Sequence, residues 1–262
     1  MWGGVMRENP VKAELAAGGR SFGTMMFEFA SPGVPQILVN AGCQYVTYDM
    51  EHSGLTEDEI KRQFAYCRGL GLVPLVRPAV KNYATVARLL DLGAMGFLFQ
   101  MVESVEEARE FVSWTRYPPD GVRGAMFSGA HDDYTSGDVV EKMLLANQRT
   151  LVMVLIETPR GVERAADIMA VDGVDVGHVG HFDLSLTMGI PAQFDHAEFK
   201  SATDRVLRAC KDNGKAAGCA VPDVTWGRNW MERGFRMISY SMDIALLGDS
   251  LSSGIRALRE AN

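Results

Sequence analysis

The sequence predicts a closed α/β barrel of eight parallel strands, a (β/α)8 TIM barrel forming one domain over residues 1–262. Three observations predict it. The chain has 262 residues, close to the roughly 250 that such a barrel needs. Strand-like and helix-like segments alternate eight times, which is the pattern of a parallel sheet. No linker, low-complexity tract or charge block divides the chain, and no G-x-G-x-x-G follows the first strand as an open dinucleotide-binding sheet would require.

The elements follow in order. Ser21 to Phe29 reads as the first strand, followed by a helix over Val34 to Ala41 with Pro35 in its first turn. Tyr45 to Tyr48 is β-branched and aromatic, a second strand. Thr56 caps the next helix, Glu59 completes a capping box, and Gly69 and Gly71 end it. Val73 to Val76 is a short apolar strand. Tyr83 to Leu92 is helical, with Ala84, Ala87 and Leu90 on one face. Gly96 to Phe99 is the fourth strand, and Ser104 with Glu107 opens the following helix as a second capping box. Tyr117 to Gly137 is a long loop, of a length usually functional or mobile. After the helix Asp138 to Gln148, Leu151 to Ile156 is an unbroken apolar run, as a strand covered on both faces should be. Then come helix Arg160 to Met169, strand Val174 to Val179, helix Ala197 to Asn213 and strand Ala216 to Ala220. Helix Val224 to Arg233, strand Arg236 to Ser239 and a last helix Ile244 to Glu260 complete the count.

Composition narrows the function. Apolar residues at 47% and charged ones at 23% are ordinary for a globular chain, which argues against disorder. A net charge of -7 offers no basic footprint for nucleic acid or an anionic membrane. A small anionic substrate would need a placed cation or a metal. No run of about 18 apolar residues predicts a spanning helix. The opening Met1-Trp2-Gly3-Gly4 lacks a leader pattern, and none of the four cysteines forms a C-x-x-C pair, so a cytoplasmic location with reduced thiols is expected.

Barrel active sites lie at the carboxyl ends of the strands. Strand two ends in Asp49-Met50-Glu51-His52, strand three in Arg77-Pro78, strand four in Gln100 and strand five in Glu157-Thr158-Pro159. Strand six runs into Gly180-His181-Phe182-Asp183. The ionisable residues collect on consecutive tips. Strands five and six are neighbours about 4.8 Å apart, so Glu157 and Asp183 can reach one magnesium or manganese ion. The alternative is that each caps the turn that follows it. His52, three residues after Asp49, reads as a general base whose tautomer the carboxylate fixes, or as a loop histidine. Arg77 either pairs with Asp49 or Glu51 or holds the carboxylate or enolate of a small acid. His178 and His181 are spaced wrongly for one face of a strand, so His178 reads as barrel packing, and His131 reads as solvated. No lysine lies within a strand, which disfavours Schiff-base chemistry.

Six motifs then occur in one order: Tyr48-Asp49-Met50-Glu51-His52, Val76-Arg77-Pro78, Leu90-Asp91-Leu92-Gly93-Ala94, Gly121-Val122-Arg123-Gly124, Ile156-Glu157-Thr158 and Gly180-His181-Phe182-Asp183-Leu184-Ser185. Together they resemble the HpcH/HpaI aldolase family, class II pyruvate aldolases of the 4-hydroxy-2-oxoheptanedioate aldolase type. The resemblance implies a phosphoenolpyruvate/pyruvate-type barrel whose last helix is exchanged between subunits of a hexamer built as a trimer of dimers. It implies a divalent metal on Glu157 and Asp183, magnesium or manganese, with cobalt or zinc as further options. It assigns catalytic roles to Arg77, Asp49 and His52, and a place at the site entrance to the loop carrying Arg123. Gln100, Gly180, His181 and Phe182 join Arg77 and Arg123 as expected substrate contacts.

The expected reaction is reversible cleavage of a 4-hydroxy-2-oxo acid to pyruvate, or a related 2-oxo acid, and an aldehyde through a metal-stabilised enolate. Two departures bear on the substrate: the chain has Gly180-His181-Phe182-Asp183 where the family often has Gly-Pro-x-Asp, and Leu155 where it often has glutamine. Gln100 is expected to replace part of that lost polarity. Rival readings are a coenzyme A-thioester lyase of the citrate or malyl type, a metal hydrolase using His52, His178 and His181, and a non-catalytic barrel that binds 2-oxo acids.

Overall fold

The computed structural model describes residues 6–261, so Met1 to Gly4, where a leader pattern was sought, lie outside them. Eight parallel strands close in sequence order: β1 (Ser21–Met26), β2 (Tyr45–Asp49), β3 (Val73–Arg77), β4 (Gly96–Phe99), β5 (Leu151–Ile156), β6 (Val176–Val179), β7 (Ala216–Val221) and β8 (Met237–Met242). β8 pairs back onto β1 and seals the barrel. Helix α1 (Pro10–Ala16) precedes it. The others are α2 (Val34–Asn40), α3 (Glu57–Leu70), α4 (Tyr83–Leu92), α5 (Val105–Trp114), α6 (Val139–Arg149), α7 (Pro159–Met169), α8 (His181–Thr187), α9 (Ala197–Asp212), α10 (Val224–Arg233) and α11 (Asp243–Glu260).

The apolar run of β5 shows how the layers form. Successive side chains of a strand point to opposite faces. Leu151, Met153 and Leu155 enter the barrel interior with Val73, Leu75, Val176 and Met237. Val152, Val154 and Ile156 face outward against the helices, joining Phe64, Leu89, Phe111 and Ile168. Both faces are therefore dry, and each such side chain contributes about 1.5–3 kcal/mol on burial. Val11 and Leu15 of α1 belong to the interior cluster and close the amino-terminal end of the barrel. The carboxyl ends stay open.

Several boundaries move for local reasons. β1 stops at Met26 rather than Phe29, because the backbone N–H groups of Phe27, Glu28 and Phe29 turn onto the Asp243 carboxylate. The Thr56–Glu59 capping box forms in full. At α5, Ser104 caps as expected, but the Glu107 carboxylate accepts from the N–H of Glu103 rather than of Ser104. α8 is a helix where the sequence predicts only a turn. Its N-cap is Gly180, which has no side chain to signal a start.

The loop over residues 117–137 is pinned, not loose. Asp133 accepts from Arg7, Arg68 and Arg149, and Asp132 from Lys142. His131, read as solvated, is buried there. Among the described residues, no helix is long and apolar enough to cross a membrane.

Candidate active site

Asp49 and Arg77 are register partners at the ends of β2 and β3. Both are buried, and the Arg77 Nε donates to Asp49 Oδ2. Arg77 Nη1 lies 3.0 Å from Glu51 Oε2. Of the two sequence readings for Arg77, the pairing with Asp49 and Glu51 is present in this structure. The paired guanidinium keeps further N–H groups for a ligand, since arginine has five. Asp49 does not hold the His52 ring as expected. Its Oδ1 accepts the His52 backbone N–H at 2.7 Å. The imidazole is 59% exposed, with Nε2 3.7 Å from Glu51 Oε2. A tight turn of three residues brings the amide, not the ring, back to the carboxylate.

Glu157 follows β5 directly and is buried. Its Oε1 accepts the Met101 N–H at 2.7 Å. Met101 holds a left-handed φ of 50°. The capping role open to Glu157 belongs instead to Thr158, whose hydroxyl accepts the Gly161 N–H at 3.0 Å. Asp183 lies in the first turn of α8, and its carboxylate takes no hydrogen bond among the described residues, so it is not a cap. α8 is tied to β5 by Thr187, whose hydroxyl lies 2.9 Å from the Glu157 carbonyl. Gly180 is required by close approach: a Cβ there would collide with Glu157 Oε2.

Burial is the main force on Glu157, pushing its carboxyl up to about 7, and the charges of Asp183 and Glu51 push the same way. A cation between the carboxylates would relieve both effects. Two hard oxygen donors with open positions fit a magnesium- or manganese-type ion, the remaining positions going to water and substrate. Among the described residues no three His, Cys, Asp or Glu side chains form a metal cluster, so His52, His178 and His181 do not assemble a hydrolase-type zinc site.

Glu157, Asp183 and Arg77 share one cavity of about 130 Å³. Its walls include Met25, Phe27, Leu98, Leu155, His178 and Ala220. Gly180, His181 and Phe182 line it as well. Phe182 is 56% exposed at the mouth. The His181 ring packs against Phe182, Phe194 and Trp226, and burial holds its pKa down at about 4, so it is neutral. The Gly180 N–H is taken by the Ile156 carbonyl, so the amides that stand before the first bond of α8 are those of His181, Phe182 and Asp183.

Two expected contacts stand apart from this cavity. Gln100 is buried and donates to the Pro78 carbonyl at 3.0 Å. Arg123 pairs with Asp91 at 2.9 Å and covers the Tyr117 ring. The sequence favours barrel packing for His178, with a hydrolase ligand as the rival reading. Its place in the cavity depends on small residues of β7, a neighbour 40 positions further along the chain that period-two reasoning on β6 does not reach.

Comparison with known proteins finds similarity over nearly the whole chain. The profile of the family described as HpcH/HpaI aldolase/citrate lyase matches residues 24–249. A hydroxypyruvate/pyruvate aldolase from Delftia acidovorans is 34% identical, the match covering 91% of this chain and 88% of that one. A 4-hydroxy-2-oxo-heptane-1,7-dioate aldolase from Escherichia coli is 30% identical, covering 92% and 91%. The crystal structure of an HpcH/HpaI aldolase from Desulfitobacterium hafniense superposes with a TM-score of 0.92 at 32% identity, covering 97% of this chain and 98% of that one.

Proposed function

Because the chain belongs to the HpcH/HpaI aldolase/citrate lyase family, we propose that it is a lyase that reversibly cleaves a 4-hydroxy-2-oxo acid to pyruvate, or a related 2-oxo acid, and an aldehyde. One observation carries the reading: two carboxylates that no cationic side chain bridges among the described residues, Glu157 and Asp183, open with Arg77 onto a single small cavity. The family is generally dependent on a divalent metal. Glu157 and Asp183 would hold it, and magnesium or manganese suits them best, with cobalt and zinc as alternatives. Such an ion supplies Lewis-acid stabilisation of the charge that develops on the 2-oxo oxygen.

The chain's own residues do the rest. Arg77, fixed by Asp49 and Glu51, presents its remaining N–H groups to the developing enolate oxygen. The amides at the start of α8 bind the substrate carboxylate. His52, with its ring free of Asp49, takes the proton of the aldol hydroxyl directly or through a water. The apolar walls keep water from the enolate.

We further propose a homo-oligomer, a trimer of dimers, in which α11 is exchanged. The support is an apolar stripe left exposed on α11: Ile244, Leu247, Leu251, Ile255 and Leu258. Four unpaired thiols support a reducing, cytoplasmic setting. The test is deuterium exchange at the methyl of pyruvate with magnesium, manganese, cobalt and zinc in turn, followed by cleavage of a panel of 4-hydroxy-2-oxo acids. Absence of exchange with every metal would overturn the proposal.

A further inference from the structure

The apolar wall of the cavity is held in two ways. Met25, Leu98, Leu155 and Ala220 stand on barrel strands, but Phe27 lies beyond Met26, the last residue of β1. Met26 pairs with Tyr48, so the next residues along, Phe27 and Asp49, stand side by side at the rim. Among the described residues no strand pairing includes Phe27. Its N–H goes instead to the Asp243 carboxylate at 3.1 Å, and those of Glu28 and Phe29 follow onto the same oxygen at 2.8 and 2.9 Å. The Ile244 N–H donates to the other oxygen at 2.9 Å. Asp243 is buried at the start of α11. Four N–H groups match the lone-pair sites of a carboxylate, and bonds to an ionised acceptor are roughly twice as strong as neutral ones. An asparagine amide offers only one accepting oxygen and turns two donors on the rest.

Phe27 shares the cavity with Arg77, Glu157 and Asp183, and it packs down on the interior cluster that contains Met25 and Leu155. An enolate formed in that cavity has two fates. Its third carbon takes the carbonyl carbon of the aldehyde, or it takes a proton from water. Excluding water suppresses the second. Resting on the aldolase reading above, we infer that Asp243 is a positioning residue: by holding the tip of β1 it keeps the Phe27 ring on the rim, and so sets how the enolate divides between aldehyde and solvent.

The experiment supplies pyruvate in deuterium oxide with a divalent metal and the aldehyde of whichever 4-hydroxy-2-oxo acid the wild type cleaves fastest. It reads the aldol adduct formed per deuteron gained by pyruvate, at a temperature below the onset of unfolding of every variant. Asp243→Asn should lower that ratio roughly fivefold, the size of one lost hydrogen bond. Phe27→Ala should lower it at least as far. Asp243→Asn added to Phe27→Ala should lower it no further, because both act through one ring. Asp243→Glu keeps the charge but displaces the oxygens by one methylene, and it carries the same test if the asparagine variant does not fold. A carboxylate that merely supports the fold would lower the unfolding temperature and leave the ratio unchanged. That result, or additive effects of the two substitutions, would overturn the inference and leave the aldolase reading standing. A wild type that cleaves no acid of the panel would overturn that reading itself.

Discussion

At the tips of β2 and β3, Asp49, Glu51 and Arg77 answer one another, and the charges are satisfied by the chain itself. At the tips of β5 and β6, Glu157, Asp183 and the deeper His178 face a cavity with little to answer them. The first group is a positioning device: partners within the protein fix a guanidinium before any ligand arrives. On the proposed function the second is a binding device, completed by what it takes up from outside. Burial raises the Glu157 carboxyl to about 7 and lowers His178 to about 3, each shift favouring the neutral form of a group withdrawn from water.

Breaking the binding side should have the largest effect on activity and little on folding. Asp183→Ala removes a carboxylate with no hydrogen bond of its own among the described residues. Loss of a residue that only supports a metal ligand costs 10–100-fold, so loss of a ligand itself should cost more than about 100-fold in metal-dependent pyruvate exchange. Thermal unfolding should be unchanged or rise, since a like charge near Glu157 is gone. Exchange retained after chelator treatment would sink the metal scheme.

The positioning side should behave in the opposite way. Asp49→Ala leaves the buried Arg77 with Glu51 alone. Removing one partner of a buried pair costs about 3–5 kcal/mol, and the exposed edge of Glu51 argues for the lower end. Urea unfolding would measure it. A loss below about 1 kcal/mol would mean that the pair is as weak as a surface one.

What the sequence made legible divides along the same line. β5 announced itself by an unbroken apolar run, and α3 by Thr56 and Glu59, because both signals are local. The nearness of Glu157 and Asp183 was visible from strand order, since neighbouring tips must converge. α8 was hidden because a glycine starts it. The anchoring of residues 117–137 was hidden because Arg7, Arg68 and Arg149 come from three distant segments. The role of Asp49 toward His52 was misread because spacing gives proximity but not which group, amide or ring, turns inward.

Acid should separate the two sides more gently. The folded pKa of His178 lies at about 3, below its unfolded value of 6.5. Between those values the unfolded chain binds a proton that the folded chain refuses. The stability present above pH 6.5 is therefore lost as pH falls toward 3, with a slope of up to about 1.4 kcal/mol per unit. His131, held down at about 4, acts in the same direction. His178→Phe should reduce the slope between pH 6 and 4 by close to one proton. An unchanged slope would show that His178 takes up its proton in the folded state.

Gln100 gives the finest test, because one side chain carries both conditions. It sits on the tip of β4, between the two groups. Its Nε2 donates to the Pro78 carbonyl, while its Oε1 is buried without a partner. Gln100→Met removes a hydrogen bond worth about 1 kcal/mol and also an unpaired acceptor whose burial costs a similar amount. The two effects should cancel to within about 0.5 kcal/mol in urea unfolding. Gln100→Glu keeps the shape but buries an uncompensated charge, so it should destabilise by more than the methionine does. If methionine proves the more damaging, then Oε1 is satisfied in solution, and the boundary between the satisfied and unsatisfied tips lies beyond β4.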